Sequence, residues 1–466
     1  MTSTAYWKSV FVERLGYQDN PFAPLQASAI ISLCETVGYC WRERIWSPAL
    51  TVMTFLYQVL SATRTCRSAV AMTLSRWALE GGKGSLPSAD TSAYCQARKR
   101  LPLEVLKGLM GNTARQLMEV IREQRDLWWG RRIWLVDGST LSMPDTLELQ
   151  SVYPQSPRQG KGCGFPLMRI VGLFDWASGA LVDVQSDSLY GHERHLFRRV
   201  WGHMQSGDIV VGDRGFSGYN DVAQLLARGI DSVFRIHQRR KIDYCKGRQL
   251  SHWDHVVPWH RLKQYKENCG IPRDEWETLP QSLEIREIRI HVDIPGFRTR
   301  QIDLGTTLLD PRPYPGEKIA GLYRQRWMIE LNFRSLKTEM NLEILRGKTV
   351  DVVRKELLMH VVAYNLIRYL MWLAAREHGR DLHRLSFTGT LQRVQIMWVL
   401  FIAVALSQQE QALRKFLEWI AKDTVPDRPE RQEPRRLKRR GKEYSFLMKP
   451  RSQYKARKGN MDFDAR

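Results

Sequence analysis

The 466 residues contain no apolar run of the roughly 18 that a membrane span needs. The longest, Ile396 to Leu406, reads as a buried helix, and no membrane partner is expected. Residues 1–20 lack the apolar core of a secretory leader, so the expected location is cytoplasmic. Cysteine is sparse: seven residues, at 34, 40, 66, 95, 163, 245 and 269, with no Cys-x2-Cys pair. This argues against zinc, and the odd, scattered count reads as reduced thiols. The GKGCG loop at 160–164 lacks the Lys followed by Ser or Thr of an ATP-binding loop. His192 and His195 have no companion ligands at a recognisable metal spacing. Acids are the minority, 49 Asp and Glu against 71 Lys and Arg, a net charge of +22. That balance suits a polyanionic partner, although RNA and membrane surfaces attract the same composition. With 43% apolar and 26% charged residues the chain is largely globular, and its length allows two to four domains.

Residues 1–126 read as a helical region able to bind DNA. Met53, Leu56, Tyr57 and Leu60 recur on a helical period, and Gly81, Gly82, Gly84 and Pro87 break the chain. Asp90 or Thr91 caps the next helix, which ends in the basic cluster Arg98, Lys99 and Arg100. A solvated helix end explains that cluster at least as well. From 127 to 237 the order is strand, hairpin, helix, strand, helix, strand, a mixed α/β pattern. Ile133–Val136 is a strand expected to end in a turn at Asp137 and Gly138, and Ile209–Val211 a strand ending before Asp213. Residues 238–315 form a β-rich insertion with a hairpin. Helix returns over 316–375 and continues in a C-terminal helical region, 376–426. In the tail, 427–466, the stretch Arg428–Lys458 holds 13 Lys or Arg against 3 Glu, a net +10, and is expected to be mostly disordered when free.

Ligands in α/β sheets bind beyond strand ends, where Asp137 and Asp213 are expected. Carboxylates there can share two Mg²⁺ ions about 3.5–4 Å apart, with phosphate oxygens and water as further ligands. Mn²⁺ would substitute for Mg²⁺. An aspartate and glycine after a strand are also a common turn for purely local reasons. A third element adds weight. Residues 321–337, GLYRQRWMIELNFRSLK, carry Tyr323, Arg326, Glu330 and Lys337 at spacings of three, four and seven. On one helix these share a face suited to gripping phosphates beside a metal ligand, with Trp327, Ile329 and Phe333 as the buried side. Glu193 is explained by the dipole of the helix it starts.

The pattern Y-x2-R-x3-E-x6-K, with Asp137 in VDGST and Asp213 in GDRGFS, resembles the DDE transposases of the insertion-sequence-four family. The likeness runs over about residues 50–375 and includes TTLLD at 306–310, LYRQRW at 322–327, LRGKT at 345–349 and YNLIR at 364–368. The resemblance implies an α/β, RNase H-like catalytic core, a mixed sheet flanked by helices, that carries the β-rich insertion between helical N-terminal and C-terminal regions. It implies that Asp137, Asp213 and Glu330 are the catalytic metal ligands, and that Tyr323, Arg326 and Lys337 hold phosphates of the transposon end. One insertion tryptophan, Trp253, Trp259 or Trp276, would stack on an extruded base. Arg214 is either a DNA contact or a partner for a local carboxylate. The implied partners are double-stranded terminal repeats and target DNA, handled by a homodimer at the bacterial nucleoid. Two other readings remain: a different RNase H-like nuclease, and a DNA-binding regulator whose carboxylates no longer bind metal.

Overall fold

A computed structural model describes residues 20–42, 44–79, 88–122, 128–291, 301–403, 409–426, 447–450 and 453. The expected disorder of the basic tail falls almost wholly outside these residues, as do the breakers Gly81, Gly82, Gly84 and Pro87.

Nine strands among the described residues form one sheet. In chain order they are β1 (Ile133–Ser142), β2 (Leu167–Asp175), β3 (Leu181–Ser188), β4 (Ile209–Gly212), β5 (Asp231–Arg235), β6 (Arg248–Ser251), β7 (Asp254–His260), β8 (Ser282–His291) and β9 (Gln301–Thr306). Their spatial order is β3-β2-β1-β4-β5-β9-β8-β7-β6. The first three make an antiparallel meander, and β4 and β5 run parallel to β1. That five-strand arrangement, flanked by helices, is an RNase H-like core. The β-rich segment does not stand apart from it. Strand β9 pairs with β5, so β8, β7 and β6 continue the same sheet. A fully buried guanidinium pins the extension: Arg286 on β8 meets Asp254 on β7 through Nε–Oδ1 at 2.7 Å and Nη2–Oδ2 at 2.5 Å. It also donates to the Tyr314 carbonyl at 2.7 Å. Such a bidentate pair satisfies most of the donors that burial strips of water.

Helices cover the meander. Pro48–Leu60 starts where Ser47 Oγ accepts from the Leu50 amide, with proline in the first turn. Val350–Glu377 starts where Thr349 caps the Val352 amide. This long helix is apolar on all sides and buried inside the protein, packed on Leu103–Arg122, Pro48–Leu60 and Gln409–Lys422. It is the one described helix long and apolar enough to cross a membrane, and here it serves as the core's central rod. Its YNLIR segment clamps the β2–β3 turn. Tyr364 Oη donates to the Gly179 carbonyl at 2.9 Å, and Arg368 donates to the Ser178 carbonyl at 3.0 Å. Asn365 accepts from the Leu181 amide and donates to its carbonyl, both at 3.0 Å, as a neighbouring strand would. The helix Phe387–Ala403 covers much of the expected apolar run, but Ile396 is 61% exposed, not buried.

Candidate active site

Strand pairing brings the two aspartates together. The last β1–β4 pair is Val136 with Gly212, so Asp137 on β1 and Asp213 just past the end of β4 follow it at the same step. Adjacent strands lie about 4.8 Å apart. A Cβ on Gly212 would lie 2.8 Å from Val136 Cγ1, so glycine fits where neighbouring side chains close over the end of β4. One expectation is corrected here. Asp137 and Gly138 are not a turn: β1 continues to Ser142, because β2 pairs with it from Trp134 through Ser142. Asp137 therefore stands mid-strand, where β4 ends and opens the sheet's edge beside it.

Glu330 comes from above the sheet. The helix Trp327–Arg334 crosses β1 and β2, and Phe333 is seated on Gly172, the register partner of Asp137, with its ring edge-on to Phe174 at 5.1 Å. Arg326 ties the acids. Its Nη2 lies 2.5 Å from Glu330 Oε1 and its Nη1 3.8 Å from Asp137 Oδ2. Burial pushes the Asp137 carboxyl up to about 6. The Gly138 amide and Arg326 oppose the rise, and the charges of Asp213 and Glu330 add to it.

The signature segment is not one uninterrupted helix. Gly316–Arg324 ends, Trp327–Arg334 begins, and a π-helical turn follows over Ser335–Glu339. Around the break i→i+3 bonds take over: Arg326 to Tyr323, Met328 to Gln325, Ile329 to Arg326. Such bonds advance the chain by about 120° per residue instead of 100°. The rotation turns Trp327 outward, 50% exposed, against the expectation that it is buried, while Ile329 and Phe333 are buried as expected. Tyr323 turns inward and is 5% exposed beneath Arg326, whose guanidinium carbon lies 5.7 Å from the ring centre. Burial pushes its hydroxyl up to about 12. In this conformation Tyr323 braces Arg326 instead of presenting a phosphate contact. Lys337 is half-buried in the π turn, off the regular helical phase of Glu330.

Arg214 is exposed and donates to the Gln238 side chain at 2.8 Å, a neutral partner and not a carboxylate. Of the three tryptophans proposed to stack on a base, two are core residues. Trp259 is 2% exposed, its Nε1 donating to Glu287 Oε1 at 2.7 Å, and Trp276 is 7% exposed under the Arg261 guanidinium at 4.0 Å. Packing buries both rings. Trp253 is 36% exposed, beside Arg289.

A residue the sequence reading set aside belongs to this neighbourhood. A Cβ on Gly138 would lie 3.0 Å from the Glu193 carboxyl, and one on Gly215 3.4 Å from its Oε2. Each glycine follows an aspartate, at one and two residues, and leaves room for Glu193 between them. Arg169 faces the same carboxylate at 3.9 Å. Glu193 also stands in the first turn of the helix Glu193–Arg199, where the dipole favours it, and the paired glycines are the sequence signal for this second setting.

Two observations fit the acids to a divalent cation. Asp213 Oδ1 is buried with no hydrogen-bond partner among the described residues, and a guanidinium lies between Asp137 and Glu330 where positive charge is needed. Among the described residues no three acidic, histidine or cysteine side chains stand at metal-holding spacing, Asp137, Asp213 and Glu330 included. An open site completed by phosphates and water is the Mg²⁺ habit.

Residues 128–366, just over half the chain, match the family model described as the transposase DDE domain. The probable transposase for insertion sequence element IS5377 of Geobacillus stearothermophilus is 32% identical over 387 residues, covering 81% of this chain and 92% of that one. The chain belongs to the DDE transposases, in the insertion-sequence-four family. Transposase InsG for insertion sequence element IS4 of Escherichia coli is 25% identical over 365 residues, 78% of this chain and 79% of that one. The piggyBac transposase synaptic complex with hairpin DNA aligns with a TM-score of 0.44 and 9% identity, over 87% of this chain and 85% of that one, a likeness of outline only. As a DDE transposase the protein is a metal-dependent enzyme that binds, cleaves and transfers DNA.

Proposed function

We propose that this transposase excises its insertion sequence and joins it to target DNA at a site made by Asp137, Asp213 and Glu330. The carrying observation is the placement of Asp137 and Asp213 at the same step after the last pair of two adjacent parallel strands, with Glu330 held over them by Phe333 and Arg326. The three carboxylates would hold two Mg²⁺ ions, which supply charge neutralisation at the attacking and leaving oxygens of a phosphodiester. The chain's own residues position the DNA. Arg326, braced on Tyr323, can turn from the acids to a phosphate of the transposon end when the cations arrive. Lys337 and exposed Arg214 contribute further positive charge along the strand, and Trp253, the most exposed of the three insertion tryptophans, is the candidate to stack on a displaced base. The ordered outcome is cleavage at the terminal repeat, a free 3′-OH, a hairpin on the opposite strand, its opening, and attack by the 3′-OH on target DNA. Two element ends must be processed together, so the working form is a homodimer on paired ends, at the nucleoid in the cytoplasm.

The test separates chemistry from binding. Asp137→Asn, Asp213→Asn and Glu330→Gln should each abolish Mg²⁺-dependent cleavage and joining while terminal-repeat binding stays within a few-fold, because phosphate contacts dominate affinity. Near-normal cleavage by any of the three removes that residue from the site. Cleavage without joining by the unaltered protein would favour a simple nuclease. Binding with no Mg²⁺-dependent nicking would favour a regulator.

A further inference from the structure

The helical N-terminal region holds a cavity of about 380 Å³, away from the acids. It opens between the segment before the helix Pro48–Leu60 and one face of the helix Ser92–Arg100. Three rings line it. Tyr39 and Trp41 lie 6.1 Å apart at 31°, and Trp46 packs on buried Tyr94 at 5.1 Å. Three guanidiniums, Arg42, Arg44 and Arg100, stand at its edge and are exposed. Among the described residues no carboxylate pairs with any of them. The basic cluster at the end of Ser92–Arg100 is therefore split in use. Arg98 points inward, over the Phe55 ring at 5.0 Å and bonded to Gln58 Oε1 at 2.9 Å. Arg100 faces the cavity beside the Tyr39 hydroxyl.

The size falls in the range of sites for small planar ligands, about 300–1,000 Å³. Half-buried rings beneath a rim of exposed guanidiniums match one ligand chemistry: a flat base against the rings, with phosphates on the arginines. The protein already handles DNA, so we propose that the cavity receives one unpaired nucleotide of a DNA strand, its base against Trp41 and Tyr39 and its flanking phosphates on Arg44 and Arg100. The cavity is tied to the catalytic end of the molecule. Arg64, just beyond the helix Pro48–Leu60, donates to the carbonyls of Asn341 and Ile344 in the loop after the signature segment. The 13-residue helix that joins the two spans about 18 Å.

The proposal needs no metal chemistry, so it fails or stands apart from the assignment of the acids. The full chain is titrated, in chelator, with a labelled ten-residue thymidine strand, with an abasic strand of equal length, and with free thymidine monophosphate. The thymidine strand should bind about tenfold more tightly than the abasic one, and quench tryptophan fluorescence. Trp41→Ala should remove that difference and Trp41→Phe restore most of it, with an unchanged melting temperature excluding a folding defect. Arg44→Ala should lower the log–log salt slope by about 0.7, the share of one single-strand phosphate. Equal binding of thymidine and abasic strands overturns the proposal and leaves a phosphate-binding surface. Competition by the monophosphate as effective as by the strand also overturns it, because the site would then take free nucleotides. If Trp41→Ala weakens duplex and single strand alike, the unpaired base is not what the cavity reads.

Discussion

Asp137→Asn should make the metal-free protein more stable, and the gain should appear only as the pH rises. Burial, reinforced by the charges of Asp213 and Glu330, holds the Asp137 carboxyl at about 6 against an ordinary 3.8. A raised carboxyl pKa means the fold disfavours the ionised form. Below pH 4 the group is neutral folded or unfolded and nothing is lost. Between 4 and 6 the unfolded chain releases the proton first, so stability falls; above 6 the penalty is complete. A shift of about two units corresponds to roughly 3 kcal/mol, at about 1.4 kcal/mol per unit, and to about 1 kcal/mol at pH 4.5. Asparagine keeps the shape, and its oxygen can still accept from the Gly138 amide, but it carries no charge. If the whole chain melts together, an unfolding entropy near 1 kcal/mol/K makes the gain about 3 °C at pH 8 and about 1 °C at pH 4.5. Scanning calorimetry with and without Mg²⁺ reads both halves: Mg²⁺ should raise the Tm of the unaltered protein and leave the variant's nearly unchanged. A variant no more stable at pH 8 than at pH 4.5, or an equal Mg²⁺ effect on both proteins, would refute the reasoning.

Arg326→Ala and Lys337→Ala should impair steps after the first nick more than nicking itself; wild-type processing of pre-nicked ends by both variants would reverse that order. Asn365→Leu should cost about 2–5 kcal/mol in chemical denaturation, because it orphans the buried amide and carbonyl of Leu181, while cleavage per folded molecule stays near normal. Glu193→Gln should raise the Mg²⁺ concentration needed for half-maximal cleavage several-fold without changing end binding, and an unchanged requirement would make Glu193 only a partner of Arg169. Deleting residues 428–466 should lower the salt dependence of non-specific DNA binding, read as a shallower log–log slope.

The strands bearing Asp137 and Asp213 were legible because short apolar runs and glycine punctuation are local signals. The hairpin flanking residues 175–179 was visible for the same reason, and β2 and β3 lie there. What the sequence hid depends on partners far along the chain. The reach of β1 past Gly138 is set by β2, thirty residues on. The break at Arg326 defies a helical period read over 323–337, since no proline or glycine marks it. YNLIR looked like part of a functional signature, yet its polar groups hold a turn nearly 190 residues away. Burial separated the three tryptophans, and residue type alone does not report burial for so large a ring.

Because β9 pairs with β5, the sheet behaves as a measuring rod. From β1 to β6 there are six hydrogen-bonded steps of about 4.8 Å, near 29 Å, or eight to nine nucleotides of duplex at 3.4 Å each. Each step also turns by about 20–25°, so the outer end is rotated well past a right angle from the strand that carries Asp137. A group at that end, such as Trp253 in the β6–β7 turn, is therefore held at a set distance and angle from the acids. Lengthening the loops between these strands would leave the gauge intact. Losing one strand would shorten it by a whole division.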